Sequence, residues 1–128
     1  MTVILDSSAV LAALQHEPGM EAVQAAWDEA VIGAVNHAEV VTKLIDRGLK
    51  RDQVDTVLRL APALPVTPFD SAQADLAGKL RDSTRHLGLS LGDRACLALA
   101  LTSGAEAVLT TDHAWSRLDL GIAVRVIR

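Results

Sequence analysis

Three residues into the chain a short apolar run, Val3-Ile4-Leu5, stops abruptly at a carboxylate, Asp6, followed by Ser7 and Ser8. A continuous apolar run is what a strand buried on both faces requires, and Asp-Ser-Ser offers N-capping oxygens to a helix begun by Ala9. The chain therefore starts strand-then-helix, with an ionisable group at the carboxyl edge of a buried strand. Ligands bind at that edge in open α/β sheets, so any further acid arriving there shares a site with Asp6.

The alternation continues along the chain. A helix from about Ser8 to Leu14 is broken by Glu17-Pro18-Gly19, and a second begins near Met20 with Val23, Ala26, Trp27 and Ala30 at helical spacing. Trp27 reads as a core or interface anchor. Val31 to Val35 predicts a strand ending at Asn36, and the next helix carries Ala38, Val41, Leu44 and Ile45 on one side until Gly48 stops it. Arg51 to Ala61 is a further helix. Pro62, Pro65 and Pro68 make the following segment extended, with a strand over Leu64 to Val66 at a sheet edge, because proline cannot donate to the ladder. Asp70-Ser71 caps a long helix through about Arg85. Beyond Gly92-Asp93-Arg94, the run Ala95 to Leu101 is apolar all round, the mark of a buried helix. Ala107 to Thr110 and Ala123 to Ile127 are the last strands, separated by Asp112 and a turn carrying Trp115. The pattern predicts an α/β fold, a three-layer α/β/α sandwich around a parallel sheet of four to five strands, in one domain spanning residues 1–128.

Composition removes several classes of function. Two Trp, one Phe and no Tyr leave no aromatic platform for stacking bases, and one cysteine, Cys96, excludes an internal disulfide and a Cys-rich zinc site. With no basic leader and no apolar span, the expectation is a cytoplasmic protein with no membrane partner. A net charge of −4 opposes long-range attraction of nucleic acid by the whole surface, which leaves local basic patches or bound cations to provide it.

Three strands end in, or lead directly to, an acid: Asp6, Glu39 one turn into the third helix, and Asp112. Asp93 sits in the first turn of the buried helix. Right-handed crossovers would bring the first three to one sheet edge and let the buried helix deliver the fourth. Each also has a plain reading. Asp6 and Asp112 suit N-caps, and Asn36 with Glu39 and Ser90 with Asp93 have capping-box spacing. Capping does not require convergence of all four, whereas hard cations do favour several carboxylates with no obligatory histidine or cysteine. Unneutralised, such a cluster is repulsive; with a cation, it suits activation of water and hydrolysis of a phosphodiester.

The segments Val-Ile-Leu-Asp6-Ser7-Ser8-Ala, Asn36-His-Ala-Glu39-Val-Val, Leu-Gly-Asp93-Arg-Ala-Cys-Leu-Ala and Leu109-Thr110-Thr111-Asp112-His-Ala-Trp115 together resemble the PIN-domain nucleases. In size and motif spacing they resemble the VapC-type toxins of VapBC toxin–antitoxin pairs, over the whole chain. The resemblance implies an endoribonuclease dependent on Mg²⁺ or Mn²⁺, acting on transfer RNA or another structured or translational RNA. It also implies an antitoxin that blocks the site, and a homodimer. Carried over by position, Asp6, Glu39, Asp93 and Asp112 are the catalytic, metal-binding acids, with Asp6, Asp93 and Asp112 the direct ligands. Ser7 and Thr110 or Thr111 are hydroxyls that orient a carboxylate, water or phosphate. Trp115 stands where Phe is more usual and reads as packing; Asn36 stands where such helices begin with Ser or Thr.

Lys43, Arg47, Lys50 and Arg51 cluster at one end of the Glu39 helix. Of these Lys43 and Arg47, with Arg94 and Arg117 near the acid motifs, are the candidates for holding a phosphate backbone. Cys96 reads as core, and His37 and His113 as neighbours rather than ligands. Apolar surface near Leu11, Leu14, Val41, Leu44 and Ile45 suits a dimer mate or an antitoxin helix. The alternatives are a catalytically silent PIN-like protein-binding module and a DNA-cleaving metal nuclease of the same fold.

Overall fold

The first strand, β1 (Val3–Leu5), sends Val3 and Leu5 to one face and Ile4 to the other, as a two-residue period requires. All three are buried. In the computed structural model, which describes residues 1–128, β1 is flanked by β2 (Ala30–Gly33) and β4 (Ala107–Thr110). β3 (Val66–Thr67) and β5 (Val124–Val126) close the two edges, and every pairing is parallel. The order β3-β2-β1-β4-β5 means the chain winds outward through β2 and β3 and then returns past β1 to build the other half. The direction of winding reverses between β1 and β4. Their carboxyl ends form a topological switch point, the crevice of an open α/β sheet.

Parallel strands need crossovers, and helices supply them on both faces. On one face Val3, Leu5, Ile32 and Leu109 pack with Val10 and Leu11 of α1 (Ser7–Leu14), Val23 of α2 (Met20–Ala26), Val40 and Leu44 of α3 (Ala34–Asp46) and Val54 of α4 (Arg51–Leu60). On the other, Ile4 and Val108 pack with Ala77 and Leu80 of α5 (Ser71–Thr84) and with Leu97 and Leu99 of α6 (Leu91–Ser103). Residues 95–100 of α6 are all buried, as its all-round apolar sequence predicts. Gly104 ends α6 in a left-handed conformation (φ 65°), which suits glycine.

The three-layer sandwich and its parallel sheet are those expected, with five strands. Several boundaries differ. Ala30 belongs to β2 rather than to the preceding helix, which ends at Ala26 and passes through a 3₁₀ turn, Trp27–Glu29. β2 stops at Gly33, because an unbroken α-helical hydrogen-bond ladder already begins at Ala34. Asn36 therefore lies inside α3, and Gly33 takes the cap position with no side-chain cap. The edge strand is Val66–Thr67 rather than Leu64–Val66, since it pairs only with Ile32 and Gly33. Leu11 and Leu44, expected at the surface, are buried in the first core. Ile45 remains exposed. Trp27 is partly buried against that core, its indole N–H donating to Pro62 O at 3.1 Å. No helix is long and apolar enough to cross a membrane.

Candidate active site

Asp6 follows β1 directly, and its backbone N–H still donates to Leu109 O at 3.2 Å. Its carboxylate is thereby held at the β1–β4 boundary, 5% exposed. Oδ1 accepts from Ser8 Oγ at 2.7 Å and from the Ala9 N–H at 2.8 Å, while Oδ2 accepts from Thr110 Oγ1 at 2.6 Å. The cap is real, and it immobilises the same carboxylate that faces the crevice. Both hydroxyls are also acceptors: Thr110 Oγ1 takes the Asp112 N–H at 3.0 Å, and Ser8 Oγ takes the Thr111 N–H at 3.0 Å. Asp6 and the turn after β4 are thus tied into one network. Asp112 itself is exposed and caps the 3₁₀ turn His113–Arg117 through Ala114 N, 2.9 Å from Oδ1.

The other two acids lie on α3 and α6, which meet at Gly92. Asp93 and Ser90 form a reciprocal capping box, Asp93 Oδ2 accepting from Ser90 N at 3.0 Å and Asp93 N donating to Ser90 Oγ at 3.1 Å. Asn36 and Glu39 do not form one, although their spacing allows it, because both lie within the helix. Instead Asn36 Nδ2 donates to Glu39 Oε1 at 2.9 Å. The Glu39 carboxylate rests on Gly92, where an added Cβ would stand 2.6 Å from Glu39 Cδ. Gly92→Ala therefore should drive Glu39 from its place while leaving the helix intact. If Glu39 is catalytic, the rate falls by about 10²-fold, the scale for misplacing a group by ~1 Å, with little change in melting temperature. Rate and thermal unfolding measured on one preparation test this.

Electrostatics places the acids in one neighbourhood. Burial raises the Asp6 pKa to about 6 despite the lowering by hydrogen bonds from Ser8, Thr110 and Ala9, and the Asp93 charge adds to the rise. Asp93 is raised by burial and by Asp112, against the capping bonds of Ser90 and the charge of Arg94. Burial pushes the Cys96 thiol well up, and Asp6, Asp93 and Glu39 all reinforce it, so three acids lie within Coulombic reach of one buried sulfur. No ion pair neutralises any of the four.

The remaining candidates divide. Ser7 gives its hydroxyl to none of the acids; Ser8, which lines the same cavity one residue on, is the hydroxyl bound to Asp6. Ser8 lies two residues past a capping Asp, within local hydrogen-bond reach, and that spacing was the available signal. Thr110 reaches Asp6, whereas Thr111 contributes only its backbone N–H. Lys43 and Arg47 line a cavity of about 330 Å³ with Ser7, Ser8, Glu17 and Arg128. Arg128 had no sequence signal. Arg47 pairs with Glu17 at 3.0 Å and contacts Gln15, and Arg128 lies 3.6 Å from Glu17. Arg94 forms no ion pair with the acids, although its charge is felt at Asp93, and its Nη1 donates to Ala77 O at 2.9 Å. Arg117 and His113 are exposed on the turn after Asp112, and His37 lines an apolar cavity with Val10, Trp27 and Leu58.

The donor set fits a hard cation. Every convergent side chain offers oxygen, and Glu39 Oε2, Asp93 Oδ1 and Asp112 Oδ2 accept no protein hydrogen bond. No three acid, histidine or cysteine side chains close a ligand cage by themselves. A divalent cation that keeps several waters and takes only one or two carboxylates suits that openness.

No curated protein matches the sequence. Among solved structures, VapBC2 from Rickettsia felis bound to a DNA fragment from its promoter is similar at TM-score 0.77 and 15% identity, over 98% of each chain. DNA-bound VapBC from Salmonella typhimurium is similar at 0.77 and 17%, over 98% of this chain and 97% of the other. VapC20 from Mycobacterium tuberculosis, a toxin that cleaves the sarcin-ricin loop, is similar at 0.72 and 16%, over 90% and 93%. At such identities the likeness is one of fold. The PIN domain model, by contrast, matches the sequence itself over residues 3–120, from β1 through the turn that carries Asp112, so the chain belongs to the PIN domain family.

Proposed function

We propose that this protein is a metal-dependent endoribonuclease, the VapC-type toxin of a toxin–antitoxin pair, with Asp6, Glu39, Asp93 and Asp112 as its catalytic acids. One observation supports the reading: Asp6 lies buried at the β1–β4 switch point with its pKa raised to about 6, the Asp93 charge adds to that rise, Asp112 in turn raises Asp93, and none of these acids has an ion-pair partner. Such a cluster is relieved by a bound cation or by protonation of one carboxylate, and oxygen donors of this kind suit a hard divalent cation. A divalent ion bound there supplies that charge and an activated water for in-line attack on a phosphodiester.

The residues present do the rest. Ser8, Ala9 and Thr110 lock both oxygens of Asp6, so the carboxylate has no rotamer to search. Ser90 fixes one oxygen of Asp93 and the Ala114 N–H one oxygen of Asp112, leaving the second oxygen of each for ion or water. Lys43, Arg47 and Arg128, beside the first turn of α1, are the cations for flanking phosphates, with Arg47 and Arg128 shared with Glu17. RNA is favoured as substrate because the PIN family fold is shared with VapC20, which cuts RNA.

A groove of about 470 Å³ between α1, α2 and α4, lined by Ala13, Leu14, Trp27, Val57, Leu60 and Pro62, is the seat for the antitoxin. Leu60, 81% exposed, is the residue such a partner would cover. Ile45, exposed beside the partly buried Val41 on α3, is the apolar surface proposed for a second copy.

Purified protein incubated with a small-RNA pool tests the reading. Cutting should appear with Mg²⁺ or Mn²⁺, vanish with EDTA and return with excess metal. A folded protein that cuts nothing with either ion would reduce the chain to a silent binding module. Equal cutting of single-stranded DNA would move it to the DNA nucleases.

A further inference from the structure

Asn36 lies one turn before Glu39, is 1% exposed, and has no part in the proposed reaction. Its Nδ2 donates twice, to Glu39 Oε1 at 2.9 Å on its own helix and to Gly92 O at 3.0 Å on α6. Its Oδ1, equally buried, has no partner at all. A flipped amide does not resolve this. Turning the amide would point Oδ1 at two acceptors, a carboxylate and a carbonyl, so the orientation is dictated by its neighbours. An amide buried with one end orphaned is a poor way to fill space, and an aliphatic side chain would fill it without leaving an acceptor unpaired. The residue is held there for its donor end.

That end has two effects. It uses one oxygen of Glu39 and leaves Oε2 without a protein donor, which fixes the direction the acid presents. It also joins α3 to α6 at Gly92, the residue against which Glu39 rests and the neighbour of Asp93. The absence of a Cβ at Gly92 is what gives the carboxylate its room. We infer that Asn36 is a positioning residue, which sets Glu39 against α6 and so fixes the spacing of Glu39 and Asp93 for the divalent cation. The inference rests on the nuclease reading for its catalytic consequence, and on the hydrogen bonds alone for its effect on the acids.

The test is a cycle of Asn36→Leu, Glu39→Ala and the double variant. It has two readouts: single-turnover and steady-state cleavage of one RNA cut by the wild type, and the Mn²⁺ concentration that half-saturates the rise in melting temperature. If Asn36 acts through Glu39, Asn36→Leu lowers kcat by about 10- to 100-fold, the usual cost of losing a partner that orients a ligand, with KM within about twofold. Its Mn²⁺ midpoint rises by a similar factor. In the Glu39→Ala background the same substitution costs nothing further in either readout. Asn36→Thr, which keeps a hydroxyl donor, should recover part of the loss, and Asn36→Asp, which sets an oxygen against Glu39 Oε1 and Gly92 O, should recover none; this pair decides the matter if Asn36→Leu fails to fold. Additive losses in the double variant would overturn the inference, as would a folded Asn36→Leu protein with unchanged cleavage and unchanged Mn²⁺ midpoint. If the wild type cuts no RNA, the nuclease reading fails, while the Mn²⁺ cycle still decides whether Asn36 sets Glu39.

Discussion

Asp6→Asn should abolish cleavage while making the metal-free protein more stable at neutral pH, an outcome that separates a functional carboxylate from a structural one. Loss of the most enclosed acid removes several kcal/mol of charge stabilisation from the reaction, and each 1.36 kcal/mol is tenfold, so the expected fall is about 10³-fold or more. The stability change follows from the sign of the pKa shift. The folded protein holds its Asp6 proton up to about pH 6, whereas the ordinary value is 3.8. Below pH 3.8 the group is protonated in both states and burial carries no charge penalty. Between about pH 4 and 6 the unfolded chain ionises first, and folding stability declines as pH rises. Above about pH 6 the penalty is complete, about 3 kcal/mol by linkage. The substituted amide has no proton to lose, so the variant lacks this decline. Urea unfolding of metal-free wild type and Asp6→Asn at about pH 4.5 and about pH 7.5, on either side of the shifted value, gives the comparison. Equal pH dependence in the two would refute the assignment of the penalty to Asp6. Saturating Mg²⁺ should restore the wild type at the higher pH and leave the variant nearly unmoved, because a ligand stabilises only the state it binds.

Trp115→Ala should be the most destabilising single change near the site. Trp115 is fully buried in the core beneath α5 and α6, and truncating so large a side chain costs about 3–5 kcal/mol, a large share of what holds a domain of this size together. The change also loosens the turn that presents Asp112, since the Trp115 N–H donates to Asp112 O at 3.2 Å. Trp115→Phe should be far milder. The indole Nε1 is buried without an acceptor, so the smaller ring loses volume but relieves an unpaired donor, and a cost below about 1.5 kcal/mol is expected. Denaturant midpoints of the three proteins test the ordering. A Phe variant as unstable as the Ala variant would mean that the core cannot close around the smaller ring.

The sequence by itself determined the alternation of elements, the buried character of β1 and α6, and the four carboxylates. Those properties are local: an apolar run ended by Asp6, an all-apolar helix after Asp93, a proline-flanked strand whose missing donors confine it to an edge. Family motifs that are contiguous in the chain were legible for the same reason. What only the tertiary structure decided depends on contacts between segments distant in sequence. Spacing from Asp6 favours Ser8 over Ser7 along the chain, but it is the position of Thr111, brought alongside by the β1–β4 pairing, that makes Ser8 the hydroxyl bridging Asp6 to the last turn. Arg94 stands beside a site acid in sequence, yet the packing of α5 on α6 gives its guanidinium the Ala77 carbonyl. Asn36 reads as a cap and is instead a clamp, because Gly92, far along the chain, arrives with a carbonyl that accepts from its amide and with no Cβ. Periodicity sets which face a residue occupies; which of two adjacent hydroxyls or amides finds a partner is set by the crossover that delivers the partner.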